Sequence, residues 1–134
     1  MPDLQPVYDE LCRRLSVHED AFELTHNPTD ANRAGGHKAD DPSPDGYLLL
    51  GAPSEAYPDG VTFAGVKLGK RYVSYYLMSV YLQPDTVISP ELTKRRQGKS
   101  CFNFTKIDKG LFDELAELTV QGRELYAAQG LLRR

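Results

Sequence analysis

The chain has no tryptophan, and it carries only two cysteines, two methionines and three histidines among its 134 residues. Cys12 and Cys101 stand alone, with no C-x-x-C pair. Cysteines this sparse point to reduced thiols and away from a disulfide framework. No apolar run approaches the roughly 20 residues that a membrane-spanning helix needs. The start, Met1-Pro2-Asp3, lacks the basic-then-apolar pattern of a secretory leader, so the expected location is the cytoplasm. There is no overall excess of base either. The net charge is −3, which speaks against a general nucleic-acid binder.

What is present fits one soluble domain over residues 1–134, long enough to enclose a core without staples. The charge is unevenly spread: −8 over residues 1–60, +6 over 61–110 and −1 over the remainder. A mildly acidic chain can therefore present a local positive surface.

Leu4, Val7, Leu11 and Leu15 recur at helical spacing, with Tyr8 and Cys12 beside them. Asp3 can cap this helix, Pro6 falls in its first turn, and Arg13 and Arg14 suit its negative end. Residues 21–26 alternate as a strand, Phe22 and Leu24 against Glu23 and Thr25. Residues 27–45 are rich in Asn, Asp, Gly and Pro and read as a long loop with freedom to move. Tyr47-Leu48-Leu49-Leu50 reads as a buried strand. Residues 61–68 and 71–80 read as two more, joined by a turn at Gly69-Lys70. Ser89 and Pro90 open a short helix that Lys94, Arg95 and Arg96 finish and Gly98 stops. Residues 101–105 form a strand with Phe102 and Phe104 on its apolar side. Asp108 then caps a long helix lined by Leu111, Leu115, Leu118, Gly122 and Leu125. Each long helix has one apolar stripe. The economical packing is an α+β two-layer sandwich: an antiparallel sheet of about five strands with the N- and C-terminal helices on one face.

That packing leaves Tyr72, Ser74, Tyr76, Cys101, Asn103 and Thr105 on the other face. Next to it comes the densest run of base, Lys94-Arg95-Arg96-Gln97-Gly98-Lys99-Ser100. Guanidinium, ammonium, hydroxyl and freed backbone N–H groups can hold a phosphate or carboxylate. The G-K-S is not a phosphate loop, because it follows a helix and enters a strand. The plainer reading of these bases is helix-dipole complement on a solvated turn. Cys101 near Lys99 and Arg95 invites a reactive thiol. No histidine base is placed beside it, so a structural thiol is the simpler expectation. Tyr72, Tyr75, Tyr76 and Tyr81 suit a ligand pocket, an interface or plain strand packing. Asp9, Glu10, Glu19, Asp20 and Glu23 group on the first helix and strand. They form either a solvated acidic face or a weak site for a hard cation.

Three runs carry a family resemblance: Y-V-S-Y-Y-L-M-S-V-Y at 72–81, I-S-P-E-L-T-K-R-R-Q-G-K-S-C-F-N-F at 88–104 and I-D-K-G-L-F-D-E-L at 107–115. Over about residues 46–126 the chain resembles the YdhG-like family, small bacterial proteins grouped under a domain of unknown function. The resemblance implies a helix–sheet–helix sandwich similar to frataxin. One branch of that family is described as a frataxin-like iron chaperone, and the positions here that would correspond to its iron sites are Asp9, Glu10, Glu19, Asp20 and Glu23.

The leading expectation is a non-enzymatic binding domain with no resident cofactor, for a small anionic or aromatic ligand. Its candidate residues are Tyr72, Ser74, Tyr76, Arg95, Arg96, Lys99, Ser100, Cys101 and Asn103. The first alternative is iron delivery through Glu10, Glu19, Asp20 and Glu23. The second is a homodimeric module that buries the tyrosine face against a second copy.

Overall fold

The structure, a computed structural model, describes residues 3–25, 46–55, 58, 60–83, 85–98 and 100–133. The loop expected at 27–45, His26 and Lys99 lie outside these residues. The chain runs α1 (Gln5–Ser16), β1 (Glu23–Thr25), β2 (Gly46–Leu50), β3 (Thr62–Leu68), β4 (Val73–Leu77), α2 (Met78–Leu82), α3 (Pro90–Thr93), β5 (Arg96–Gln97), β6 (Cys101–Phe104) and α4 (Lys109–Ala128). Six strands form one antiparallel sheet in the order β1-β2-β3-β4-β6-β5. The expected α+β two-layer arrangement is therefore present, with one more strand than the sequence suggested. No helix among the described residues is long and apolar enough to cross a membrane.

Alternation assigns the two faces. Leu24, Tyr47, Leu49, Ala64, Val66, Val73, Tyr75, Leu77, Phe102 and Phe104 occupy matching positions across the strands and belong to the core. The terminal helices cover them. Val7, Leu11 and Leu15 come from α1, and Phe112, Leu115, Leu118, Thr119, Gly122 and Tyr126 come from α4. The buried stripe of α4 is rotated slightly from expectation, since Leu111 and Leu125 are only half-buried. Asp3 serves α1 through its carboxylate, which accepts from Gln5 N–H at 3.0 Å. Asp108 accepts from Leu111 N–H at 3.1 Å and caps α4.

A β-bulge gives the core its aromatic centre. Leu49 pairs with Ala64 and Leu50 with Thr62, so Phe63 is the extra residue on β3. Its ring stacks on Phe22 at 4.0 Å and meets Tyr126 at 5.1 Å and His18 at 5.9 Å. Full burial of rings of this size contributes about 1.5–3 kcal/mol each. Tyr75 and Tyr126 enter the core with their hydroxyls satisfied, by Thr119 and by the Thr62 carbonyl.

Three local expectations need correction. The β3–β4 turn is centred on Lys70-Arg71, not on Gly69-Lys70: Leu68 pairs with Val73, and Gly69 N–H donates to the Tyr72 carbonyl at 3.0 Å. Glycine is needed there because a Cβ would sit 2.8 Å from that carbonyl oxygen. The strand expected to reach residue 80 ends at Leu77, and Met78–Leu82 turns into α2. Ser79 and Val80 are thereby buried against α4, where a Cβ on Gly122 would lie 2.8 Å from the Ser79 Cβ. The helix after Ser89 makes a single turn and stops at Thr93, so Arg96 and Gln97 form an edge strand. Gly98, at φ +72°, opens the β5–β6 turn and does not end a helix. Ser89 is the cap it was expected to be, and its N–H and Oγ also donate to Glu114 of α4 at 2.8 and 2.6 Å.

The C-terminal tail crosses the end of the sheet. Ala52 N–H donates to the Leu131 carbonyl at 2.8 Å, and Arg133 N–H donates to the Ala21 carbonyl at 2.9 Å. The Arg133 guanidinium bonds the Gly51 carbonyl and pairs with Glu23.

Candidate functional site

The face away from the helices differs along its width. On the β2 side, Leu48 and Leu50 are 3% and 5% exposed and form a small apolar cluster of their own. Toward β4, β6 and β5 the same face is polar. Lys67 stands opposite Ser74, Ser74 opposite Asn103, and Asn103 N–H donates to the Arg95 carbonyl at 2.8 Å. One row across four chain segments thus carries a cation position at each end and two small polar side chains between. The next row holds Tyr76 opposite Cys101 and Cys101 opposite Gln97.

The polar side chains of these rows are joined. Ser74 Oγ donates to Asn103 Oδ1 at 2.8 Å, and Asn103 Nδ2 donates to Gln97 Oε1. Four expected site residues, Ser74, Tyr76, Cys101 and Asn103, are therefore brought onto one face. Arg95 occupies the register position next to Asn103. Arg96 does not join them: it stands opposite Phe102, on the side of the helices, and is half-buried. Its placement follows from the early end of α3, which makes residue 96 a strand position and not a helix end. Ser100 contributes its carbonyl, which accepts from Leu77 N–H at 2.9 Å. Burial pushes the Cys101 thiol above its ordinary pKa, against the opposing pull of a Ser100 hydrogen bond. A thiol held protonated is a poor nucleophile. His18 is 5% exposed within the aromatic cluster, so no imidazole base faces Cys101 from there. The tyrosines separate as well: Tyr75 is core, Tyr76 lies on the polar face, Tyr72 is at the hairpin end, and Tyr81 is on α2.

An open cavity of ≈ 370 Å³ lies at the β3–β4 end of this face, lined by Lys67, Gly69, Lys70, Arg71, Tyr72 and Ser74. Three of these residues are basic and none is acidic. Among the described residues, Lys70 and Arg71 form no ion pair. Tyr72, at 37% exposed, offers part of its ring. Lys67, Lys70 and Arg71 were not singled out from the sequence. The available signal was K-L-G-K-R-Y at 67–72, base gathered around a glycine turn between two strands.

The acidic candidates are engaged elsewhere. Glu10 accepts from Arg13 at 2.9 and 2.6 Å and from Arg14 at 2.8 Å. These bonds hold its carboxyl down at about 2. Asp20 receives both arms of Arg123 at 2.9 Å, which lowers its pKa too. Glu19 accepts from the Tyr47 hydroxyl, and Glu23 pairs with Arg133 at 2.7 Å. Among the described residues, no three His, Cys, Asp or Glu side chains come together as a metal-ligand group.

Comparison with protein-family models, with curated proteins and with solved structures found no match. The site is therefore defined by its own geometry.

Proposed function

We propose that this chain is a binding domain for a small anionic ligand, held at the β3–β4 hairpin end of the polar sheet face. The observation that carries this reading is the cavity wall of Lys67, Lys70, Arg71, Tyr72 and Ser74, which holds no carboxylate among the described residues. Arginine offers a planar fork to carboxylate or phosphate oxygens, and lysine adds a compact charge. The backbone beneath is fixed by the ladder and by the Gly69–Tyr72 hydrogen bond, so binding orders side chains only. Binding is favoured over nucleophilic chemistry at Cys101, because burial raises that thiol's pKa and His18 lies among aromatic rings. Anion binding ranks above iron delivery, because Glu10, Asp20 and Glu23 each meet an arginine and Glu19 meets Tyr47.

Calorimetric titration with inorganic phosphate and with citrate tests the reading. Heat is expected from at least one anion at about millimolar affinity or better, and it should vanish in the double variant Lys70→Ala/Arg71→Ala. Binding that survives that double variant, or no heat from either anion, overturns it.

A further inference from the structure

We propose that the hairpin cavity takes a phosphomonoester carried on a planar ring, a mononucleotide-like ligand, with the phosphate on Lys70 and Arg71, the ring on Tyr72 and a ligand hydroxyl or amine on Ser74. This assignment rests on the anion-binding reading above and narrows it to a ligand class.

Volume is the first argument. A cavity of ≈ 370 Å³ falls within the roughly 300–1,000 Å³ range of small-molecule sites. A bare phosphate or acetate fills only a small part of it, so the ligand has a body. Charge is the second. Lys70 and Arg71, which form no ion pair among the described residues, with Lys67 beside them, suit a dianion better than a monocarboxylate. The third is Tyr72. Its ring is partly exposed at the rim of the same cavity, and tyrosine faces accept planar rings by stacking.

The fourth is the Ser74 hydroxyl proton. Ser74 commits its hydroxyl hydrogen to Asn103 Oδ1 at 2.8 Å, and Asn103 commits its amide to Gln97. The side of Ser74 Oγ that lines the cavity therefore presents lone pairs and not a donor. It does not solvate an anionic oxygen; it accepts from a hydroxyl or amine. A phosphate joined to a sugar or an amino-bearing base supplies that donor beside the charge.

The test uses the full chain and four probes: inorganic phosphate, ribose 5-phosphate, adenosine 5′-monophosphate and adenosine. The monophosphate should bind roughly tenfold more tightly than ribose 5-phosphate, a ratio within the range of one stacked base. Ribose 5-phosphate should in turn bind more tightly than phosphate, and adenosine alone should not bind. Tyr72→Ala should erase the advantage of the nucleotide over ribose 5-phosphate, and Tyr72→Phe should keep it. Ser74→Ala should weaken ribose 5-phosphate but not phosphate. Equal affinity for all three phosphates overturns the ligand class and leaves the anion reading standing. If none of the three phosphates binds and citrate does, the ligand class likewise falls alone; if citrate also fails, both fall. Adenosine binding as tightly as its monophosphate overturns the role of the phosphate. A single-stranded oligonucleotide that binds far more tightly than the monophosphate replaces the mononucleotide assignment with a nucleic-acid one.

Discussion

The N-terminal acidic edge and the β3–β4 hairpin are mirror images in charge and opposites in use. At the edge, Glu10, Asp20 and Glu23 each have an arginine within 3 Å. Two of those arginines, Arg123 and Arg133, come from the far end of the chain. At the hairpin, Lys70 and Arg71 have no such partner among the described residues. Acids that look like a cation site in the sequence are taken up in ion pairs with arginines, and bases that look like an ordinary turn line an open cavity. A charged cluster becomes a candidate for function by what the tertiary structure leaves unmatched, more than by how dense it is along the chain.

The sharpest way to break this contrast is at the hairpin. Lys70→Ala/Arg71→Ala is expected to weaken anion binding about 100-fold, because two charge-assisted hydrogen bonds are lost. Its unfolding free energy in urea should stay within about 0.5 kcal/mol of the parent. A large loss of stability would show that these side chains serve the fold after all. Arg14→Ala is the reciprocal experiment. Arg14 is 15% exposed, bridges Glu10 and Asp113, and lies 5.8 Å over the Phe112 ring. Its removal should cost about 2 kcal/mol in urea unfolding and leave phosphate affinity unchanged.

Acid titration gives a smaller and more graded effect. The folded Glu10 carboxyl sits at about 2, below the ordinary value of about 4.3. The unfolded chain therefore takes up the proton first. The Glu10 contribution is complete above about pH 4.3 and declines as the pH falls toward 2. Burial and the neighbouring Arg123 lower His18 as well, so stability should already begin to fall below about pH 6.5, where the unfolded imidazole charges. His18→Phe should remove that upper part of the decline and keep the lower part; an unchanged profile would exclude His18 as its source. Smallest of all, Asp20→Asn should leave the unfolding midpoint without a measurable shift, since that pair lies in solvent and is screened.

Much of the frame was legible because it is written in local periods. The stripes of α1 and α4, the capping residues Ser89 and Asp108, and the alternation of Phe102 and Phe104 all follow from short-range pattern. Misreadings arose where one local pattern serves two structures. Tyr-Leu-Met-Ser-Val alternates well enough for a strand, yet burial of Ser79 against Gly122 turns it into a helix. Lys94-Arg95-Arg96 looks like a helix end, but pairing with β6 takes Arg96 into a strand and onto the helix side. The site was half legible. Ser74, Tyr76, Cys101 and Asn103 were placed together by strand parity alone. Lys67, Lys70 and Arg71 were not, because the significance of a basic turn depends on what the rest of the chain places beside it. That depends on where residues distant in sequence are spent.

The tail at residues 131–133 has a consequence for how the molecule opens. Its backbone bonds reach Ala52 and Ala21, one on each of two separate segments, and it adds no strand to the sheet. Lifting such a strap draws Leu131 and Leu132 off the core and breaks the Arg133–Glu23 pair, but it leaves the ladder of the sheet intact. The Ala52 amide, whose acceptor is Leu131, should then exchange with deuterium faster than the β3 and β4 amides. Its exchange rate would report how often the strap comes away while the sheet stays closed.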